Sequence, residues 1–329
     1  SFNHMLFAAE KVFELMNDFG SRSQPFVFGI DFGVKNGFFM PADEAADNGV
    51  YYQVNGKGNA KASEARAIPV VMEKFTPGLA AYKQAFKIVH HNLAEGNSYL
   101  TNLTFPTEIK INADLPEIFA RCKARYKLLF KDDFVVFSPE IFVQIDNRII
   151  RSFPMKGTID ASIPGAEKKI LSDPKETAEH STIVDLIRND LGMVASGIKV
   201  ERFRYIEKID THEKSLLQVS SEIAGTLPAD YTSNLGNIFR KLLPAGSISG
   251  APKKKTLEII SQAETYSRGF YTGVFGYFDG TRLDSGVMIR FIRKEQGKLF
   301  FCSGGGITAR SKAENEYREL IDKVYVPFV

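Results

Sequence analysis

Cysteine is scarce in this 329-residue chain: only Cys122 and Cys302, far apart and in no ligand spacing. That excludes a disulfide framework and a zinc site and makes a reducing cytoplasm the expected setting. Excess charge of either sign is also missing. A net charge of +3 is too small to point to a nucleic-acid or membrane partner. No apolar run approaches the length of a membrane span, and no basic segment followed by an apolar one opens the chain. Internal repeats and low-complexity tracts are absent too. What is present is globular material, 44% hydrophobic and 25% charged, enough for one large domain or two ordinary ones.

The apolar periodicity predicts helices over residues 5–20, 78–95, 115–129, 175–194, 235–242, 254–262 and 313–324. Asp173, followed by Pro174, is the expected cap of the long central helix. Strands are expected at 26–39 (a pair around Lys35-Asn36-Gly37), 51–54, in SYLTNLTF as far as Pro106, in FVVF, IFVQI and RIIRSF, and around 198–208 and 214–226. Three more follow: YTGVFGYFDG, DSGVMIRFIR and KLFFCSGGGIT. Residues 160–174 read as a polar loop. Many strands with interspersed helices, but no regular βαβ alternation, predict a large α+β fold of mostly antiparallel sheets flanked by helices.

Residues Arg151 to Thr158, RSFPMKGT, place Lys156 between a proline-bounded strand end and a Gly-Thr turn. A lysine held there and desolvated can be a neutral nucleophile near pH 7. The alternative is a surface lysine beside a turn. The hairpin before it ties Glu140, in Ser138-Pro139-Glu140, to the same region. Glu176 and Glu179 share a face of one helix, and Glu316 and Glu319 share a face of another. Four carboxylates with no His or Cys companion suit a hard cation such as Mg²⁺, unless both faces are simply solvated. PAGSISGAPK (244–253) and SGGGIT (303–308) expose backbone N–H groups that can hold a carboxylate, or are ordinary tight turns. Arg290 interrupts the apolar run VMIRFI. It reads as either a pocket group with an anionic partner, flanked by Tyr271 and Tyr277, or a structural salt bridge. The run Lys253-Lys254-Lys255 has no aromatic platform beside it and reads as a solvated face.

Taken in order, SPE (138–140), PMKGT (154–158), AEHSTIVDLIRNDLG (178–192), PAGSISGAPK, GVFGYFDG (273–280), VMIR (287–290), CSGGGITARS (302–311) and ENEYREL (314–320) resemble the chorismate-utilising enzymes. The likeness covers roughly residues 80–329 and implies the fold of anthranilate synthase component I-like proteins. Residues 1–75 are then a shortened N-terminal region on the same core, and 76–329 the chorismate-binding catalytic domain. It implies Mg²⁺ held directly by Glu179 and Glu319, with Glu176 and Glu316 assisting. It further implies a ring carboxylate held by Gly304, Gly305, Gly306 and Lys323, and an enolpyruvyl carboxylate held by Arg290 and Tyr271. Gly157, Thr158 and Ser247 would also contact the substrate.

Lysine at 156, where anthranilate synthases of this type carry alanine, resembles the aminodeoxychorismate synthase branch. There the lysine adds at C2 and a glutamate, here Glu140, protonates the leaving 4-hydroxyl. Ammonia from a separate glutamine amidotransferase subunit then takes C4. Leu100 stands where isochorismate and salicylate synthases keep a lysine base, which disfavours hydroxylation. Gln218 replaces a family histidine, with His212 as a substitute by reach only. A Leu-Leu-Glu-Ser element is missing, so tryptophan inhibition is not expected. The alternatives are an anthranilate synthase component I and an inactive chorismate-binding subunit.

Overall fold

A computed structural model describes residues 5–60, 68–210 and 215–327. His212 lies outside the described residues. Eight α-helices are described: α1 (Ala9–Ser21), α2 (Leu79–Ala94), α3 (Leu115–Arg121), α4 (Ala166–Ser172), α5 (Pro174–Gly192), α6 (Leu235–Leu242), α7 (Lys253–Ala263) and α8 (Ala313–Asp322). Among the described residues the strands form two sheets, of ten and nine strands, and the pairings are antiparallel throughout.

The first sheet runs Leu6–Ala8, Asn36–Pro41, Phe26–Ile30, Val274–Phe278, Leu283–Val287, Ile141–Asp146, Ile149–Ser152, Ser215–Thr226, Met155–Asp160, and Ser196–Asp210 also pairs with Ser215–Thr226. The second runs Gly250–Ala251, Leu100–Ile111, Lys298–Ile307, Phe291–Glu295, Phe134–Ser138, Tyr126–Phe130, Val50–Val54, Lys57–Gly58, with Met72–Phe75 also paired to Leu100–Ile111. The predicted α+β class is the one observed.

The sheets pack face to face. Val27, Phe38 and Phe275 from the first meet Tyr126, Phe130, Val136 and Phe291 from the second in one buried cluster. Helices α1, α5 and α6 cover the outer face of the first sheet. Helix α3 covers the outer face of the second, and α2, α7 and α8 close around Leu103 and Ile307 near one end of it. In α1, Val12, Phe13 and Met16 recur at helical spacing and are fully buried. At the α1–α6 crossing Gly236 is needed for close approach, since a Cβ there would stand 1.9 Å from the Phe13 carbonyl oxygen. Gly236→Ala is expected to destabilise the protein by about 3 kcal/mol, read as an earlier urea midpoint at unchanged slope.

Several expectations are corrected. Helix α3 stops at Arg121, and Tyr126–Phe130 is a central strand. Its five residues are all buried, and an apolar run buried on both faces carries no period that tells strand from helix. The strand from Leu100 continues through Pro106 to Ile111. Pro106 falls between the residues paired with Gly250–Ala251 and those paired with Met72–Phe75, where a missing N–H breaks no ladder on that side. The loop expected at 160–174 contains α4, anchored by buried Ala166 and Ile170. The turn placed at Lys35-Asn36-Gly37 comes earlier. Asn36 and Gly37 belong to the strand, and Asp31 accepts a hydrogen bond from the Lys35 backbone N–H at 2.8 Å. DSGVMIRFIR is two strands, Leu283–Val287 in the first sheet and Phe291–Glu295 in the second. Asp173 does cap α5, accepting from the Glu176 backbone N–H at 3.0 Å.

Candidate active site

The chain crosses between sheets at Ser138–Glu140 and again at Met288–Arg290. Backbone that changes sheets leaves the ladder, so side chains there are directed into the seam. Arg290 makes its crossing at φ 52°, and Thr272, on the turn beside it, has φ 61°. The two turns are zipped together: the Thr272 N–H donates to Met288 O and the Met288 N–H to Gly273 O, both at 2.8 Å. At this seam opens a cavity lined among others by Glu140, Lys156, Ser247, Tyr271, Arg290 and Lys323, with Gly304, Gly305 and Gly306. Nine of the predicted site residues therefore share one space.

Lys156 reaches the cavity by a bulge. Ser215–Thr226 pairs Met155 with Ser220 but Thr158 with Gln218, so one extra residue is inserted at Lys156-Gly157. Gly157 supplies the left-handed backbone (φ 89°) that such a bulge uses to re-aim a side chain. Lys156 Nζ stands 2.8 Å from Glu179 Oε2, with the lysine side chain 29% exposed and the glutamate 6%. The expectation of a neutral, desolvated amine is corrected here. Burial does push the ammonium down, but Glu179, Glu176 and Glu319 together hold its pKa above the usual lysine value.

Glu140 is the opposite case. Burial pushes its carboxyl up, against the Ser247 hydrogen bond and the Lys323 charge, which pull it down. Ser247 Oγ donates to Glu140 Oε1. A carboxyl of raised pKa beside a hydroxyl in a cavity is equipped to give up a proton.

Three of the four glutamates stand next to residues of the cavity wall, Glu179 at Lys156 and Glu316 and Glu319 at Gly305, and Glu176 stands at Gly157 beside Lys156. A Cβ on Gly305 would lie 3.6 Å from Glu319 Oε1, 3.7 Å from Lys323 Nζ and 3.9 Å from Glu316 Oε2. A Cβ on Gly157 would lie 3.0 Å from Glu176 Oε2. Among the described residues, however, no three His, Cys, Asp or Glu side chains stand ready to hold a metal ion. The reason is visible: Lys156 holds Glu179, and Lys323 Nζ holds Glu319 Oε1 at 2.8 Å. As a donor set, Glu316 and Glu319 beside Gly305, with Glu176 beside Gly157 and Glu179 on Lys156, fit a hard cation such as Mg²⁺. Gly305→Ala should fill the space beside Glu316 and Glu319 without straining the backbone and raise the substrate KM about tenfold with little change in Tm. Gly304→Ala, whose Cβ would meet Leu103 O at 2.6 Å, should instead lose stability, and calorimetry alongside kinetics separates the two.

Arg290 is not inside a strand. Its Nη1 donates to the Lys323 carbonyl at 3.0 Å at the end of α8, and its guanidinium lies 5.2 Å from the Tyr325 ring centroid. Tyr271 is buried in the cavity wall, whereas Tyr277 packs on Tyr52 at 5.3 Å and does not line the cavity. Thr158 is exposed and Gln218 sits opposite it in the sheet, and neither lines the cavity. Gly157 acts by making room for Glu176. Leu100 packs against Gly306, with its Cδ1 3.0 Å from where a Cβ would be. Of the three lysines, Lys253 is no solvated residue: its Nζ is paired with Asp190 at 2.8 Å.

The sequence reading missed Asn102, Thr272 and Cys302 in the wall, and the buried His180, which does not line it. His180 Nε2 and Ser221 Oγ are 2.6 Å apart, and burial, aided by Arg204 and Lys156, pushes the imidazole down to about 4, keeping it neutral. Its signal was available, since it follows Glu179 directly in the AEHST motif.

A family model described as chorismate binding enzyme matches residues 42–328. The chain belongs to this family. The match begins well before the residues around 80 where the motif resemblance starts. Over 312 residues, 94% of this chain and 96% of the relative, the chain is 51% identical to an "Uncharacterized PabA-like protein" of Pasteurella multocida. It is 30% identical to aminodeoxychorismate synthase component 1 of Escherichia coli over 74% of this chain, spanning 56% of that protein. Among solved structures, the menaquinone-specific isochorismate synthase MenF of Escherichia coli superposes with a TM-score of 0.75 at 14% identity, covering 97% of this chain and 82% of that one. Anthranilate synthase component I of Streptococcus pneumoniae gives 0.65 at 24% identity over 78% of this chain and 59% of that one. These structural likenesses concern the fold. Among the described residues no helix is long and apolar enough to cross a membrane.

Proposed function

We propose that this chorismate-binding enzyme is an aminodeoxychorismate synthase of the component I type, forming 4-amino-4-deoxychorismate from chorismate and ammonia. The observation that carries the reading is Lys156 on its bulge, lining the same cavity as the protonatable Glu140. The neutral lysine amine adds at C2 and sheds a proton, both ring double bonds shift (C1=C2 and C5=C6 become C1=C6 and C4=C5), and the 4-hydroxyl leaves as water with a proton from Glu140. Ammonia then bonds to C4, both double bonds shift back, and the C2–lysine bond breaks. The two displacements account for nitrogen arriving at C4. Leu100 offers no base to activate water.

Glu179 and Glu319, with Glu176 and Glu316, would hold Mg²⁺, which when bound offsets substrate carboxylate charge. Titration with a chelator is expected to remove activity, and added Mg²⁺ to restore it. Arg290, Tyr271, Lys323 and the Gly304–Gly306 backbone would bind the carboxylates. Cys122 and Cys302 are buried free thiols pushed up to about 12, so neither is a glutaminase nucleophile. Ammonia would come from a separate glutamine amidotransferase, in a reducing cytoplasm.

The test is an incubation with chorismate, Mg²⁺ and an ammonium salt at mildly alkaline pH, with products separated by mass spectrometry. Aminodeoxychorismate is the expected product. Anthranilate, which is fluorescent, would replace this reading with the anthranilate synthase one. Chorismate binding without turnover would favour a binding subunit.

A further inference from the structure

Glu264 follows α7, and Arg268 lies four residues on, before the Tyr271-Thr272 turn. Their side chains are 3% and 2% exposed, and they form a two-pronged ion pair. Arg268 Nε donates to Glu264 Oε2 at 2.8 Å and Nη2 to Oε1 at 2.7 Å. The remaining donors go elsewhere. Nη1 donates to Ile248 O at 2.9 Å and to Thr272 Oγ1 at 3.2 Å, and Nη2 also donates to Asn102 O at 2.8 Å. All five guanidinium N–H groups are thereby used. Glu264 Oε1 in turn accepts from the Thr104 N–H at 2.9 Å and the Thr104 Oγ at 2.7 Å.

The destinations matter more than the number. Asn102, Ile248 and Thr272 all line the cavity, whereas Glu264 and Arg268 do not. They belong to three separate pieces of chain: the strand Leu100–Ile111, the small-residue loop before α7, and the crossing turn. Ile248 is next to Ser247, which bonds Glu140, and Thr272 is next to Tyr271. No other described side chain donates to all three.

We propose that Glu264 and Arg268 form a positioning pair that sets the spacing of three cavity walls, and through Ser247 and Tyr271 the placement of the groups that act on substrate. The proposal rests on the cavity being the chorismate site, and not on which nucleophile attacks. The planar fork is essential to it. A lysine at 268 would keep the charge for Glu264 but could not reach all three walls at once. A displacement of about 1 Å in a reacting group is enough to cost on the order of 100-fold in rate.

The experiment compares wild type, Arg268→Lys and Arg268→Ala by chorismate consumption, whichever product forms, with chorismate affinity by calorimetry and Tm for each. Asp284→Asn, in a half-buried polar cluster with Tyr126 and Asn55 away from the cavity, is the stability control. Arg268→Lys is expected to lower kcat on the order of 100-fold while KM moves less than tenfold. Guanidinium ion at millimolar concentration should restore Arg268→Ala at least tenfold, whereas methylammonium, a single-point cation, should not. If Arg268→Ala does not fold, the Arg268→Lys comparison decides alone. Asp284→Asn should lose Tm and keep its kcat. A folded Arg268→Lys with wild-type kcat overturns the proposal and leaves a merely structural ion pair. A wild type that does not bind chorismate overturns the assignment of the cavity, and this proposal with it.

Discussion

Lys156→Ala is expected to reduce amination of chorismate on the order of 10⁴-fold or more, since it removes the group proposed to form the covalent bond. Chorismate affinity should change little, because Arg290, Tyr271 and Lys323, proposed to bind its carboxylates, stand elsewhere on the cavity wall. The direct measurement is intact-protein mass spectrometry of wild type with chorismate and no ammonia. The mass should rise by one chorismate less one water, the water being the 4-hydroxyl and its proton, and Lys156→Ala should show no increase. A variant that aminates C4 at the wild-type rate would remove the covalent lysine from the mechanism. Lys156→Arg is expected to be as inactive, because a guanidinium stays protonated.

The resting ion pair with Glu179 adds a second readout. Three carboxylates raise the Lys156 pKa, so the ammonium dominates at neutral pH until their charge is offset. Glu179→Gln removes the largest of those influences, and burial then pushes the amine below its former pKa. The fraction of neutral amine at a given pH rises in that variant. The prediction is faster acylation of Lys156 by a small acylating reagent in Glu179→Gln than in wild type, both without metal.

Glu140→Gln is expected to lower kcat by about 10² to 10⁴-fold with a small change in KM. The amide keeps the shape and can still accept from Ser247 Oγ, but it has no proton to deliver to a leaving oxygen. Because burial raises the Glu140 pKa, its acid form persists to higher pH than an ordinary glutamate's. Wild-type kcat should therefore fall as pH rises through that raised pKa, and the same limb should be missing from the Glu140→Gln profile. A Glu140→Gln enzyme with wild-type kcat would exclude Glu140 as the acid. Ser247→Ala tests the wall beside it: losing a hydrogen bond that favours the ionised form should move the limb to higher pH.

Much of the site was legible because its residues lie in continuous motifs. Lys156 is flagged by its proline and glycine neighbours, Glu140 by Ser138-Pro139, and the glutamate pairs by three-residue spacing. Thr158 was placed wrongly because reading PMKGT as a plain strand end conceals the bulge. Once a residue is inserted at Lys156-Gly157, the lysine turns to the cavity and the threonine does not. Arg290 was placed inside a strand because five apolar neighbours have no visible punctuation, and only the left-handed backbone at 290 marks the crossing. Gln218 drew attention by its place in a motif, but it faces a neighbouring strand.

Composition and motif order by themselves determined the class of fold, the absence of metal-thiolate and disulfide chemistry, and the family, since local residue types decide these without reference to distant partners. Tertiary structure alone decided which groups meet. The seam between two sheets gathers Glu140, Lys156, Arg290 and three glycines from four separate stretches of chain. It also set their charge states, raising the Lys156 pKa through carboxylates on α5 and α8 and raising that of Glu140 through burial. Glu264 and Arg268 are ordinary charged residues in the sequence. Their burial and their bonds to Asn102, Thr104 and Ile248 come from the fold, where desolvation makes each donor's partner matter.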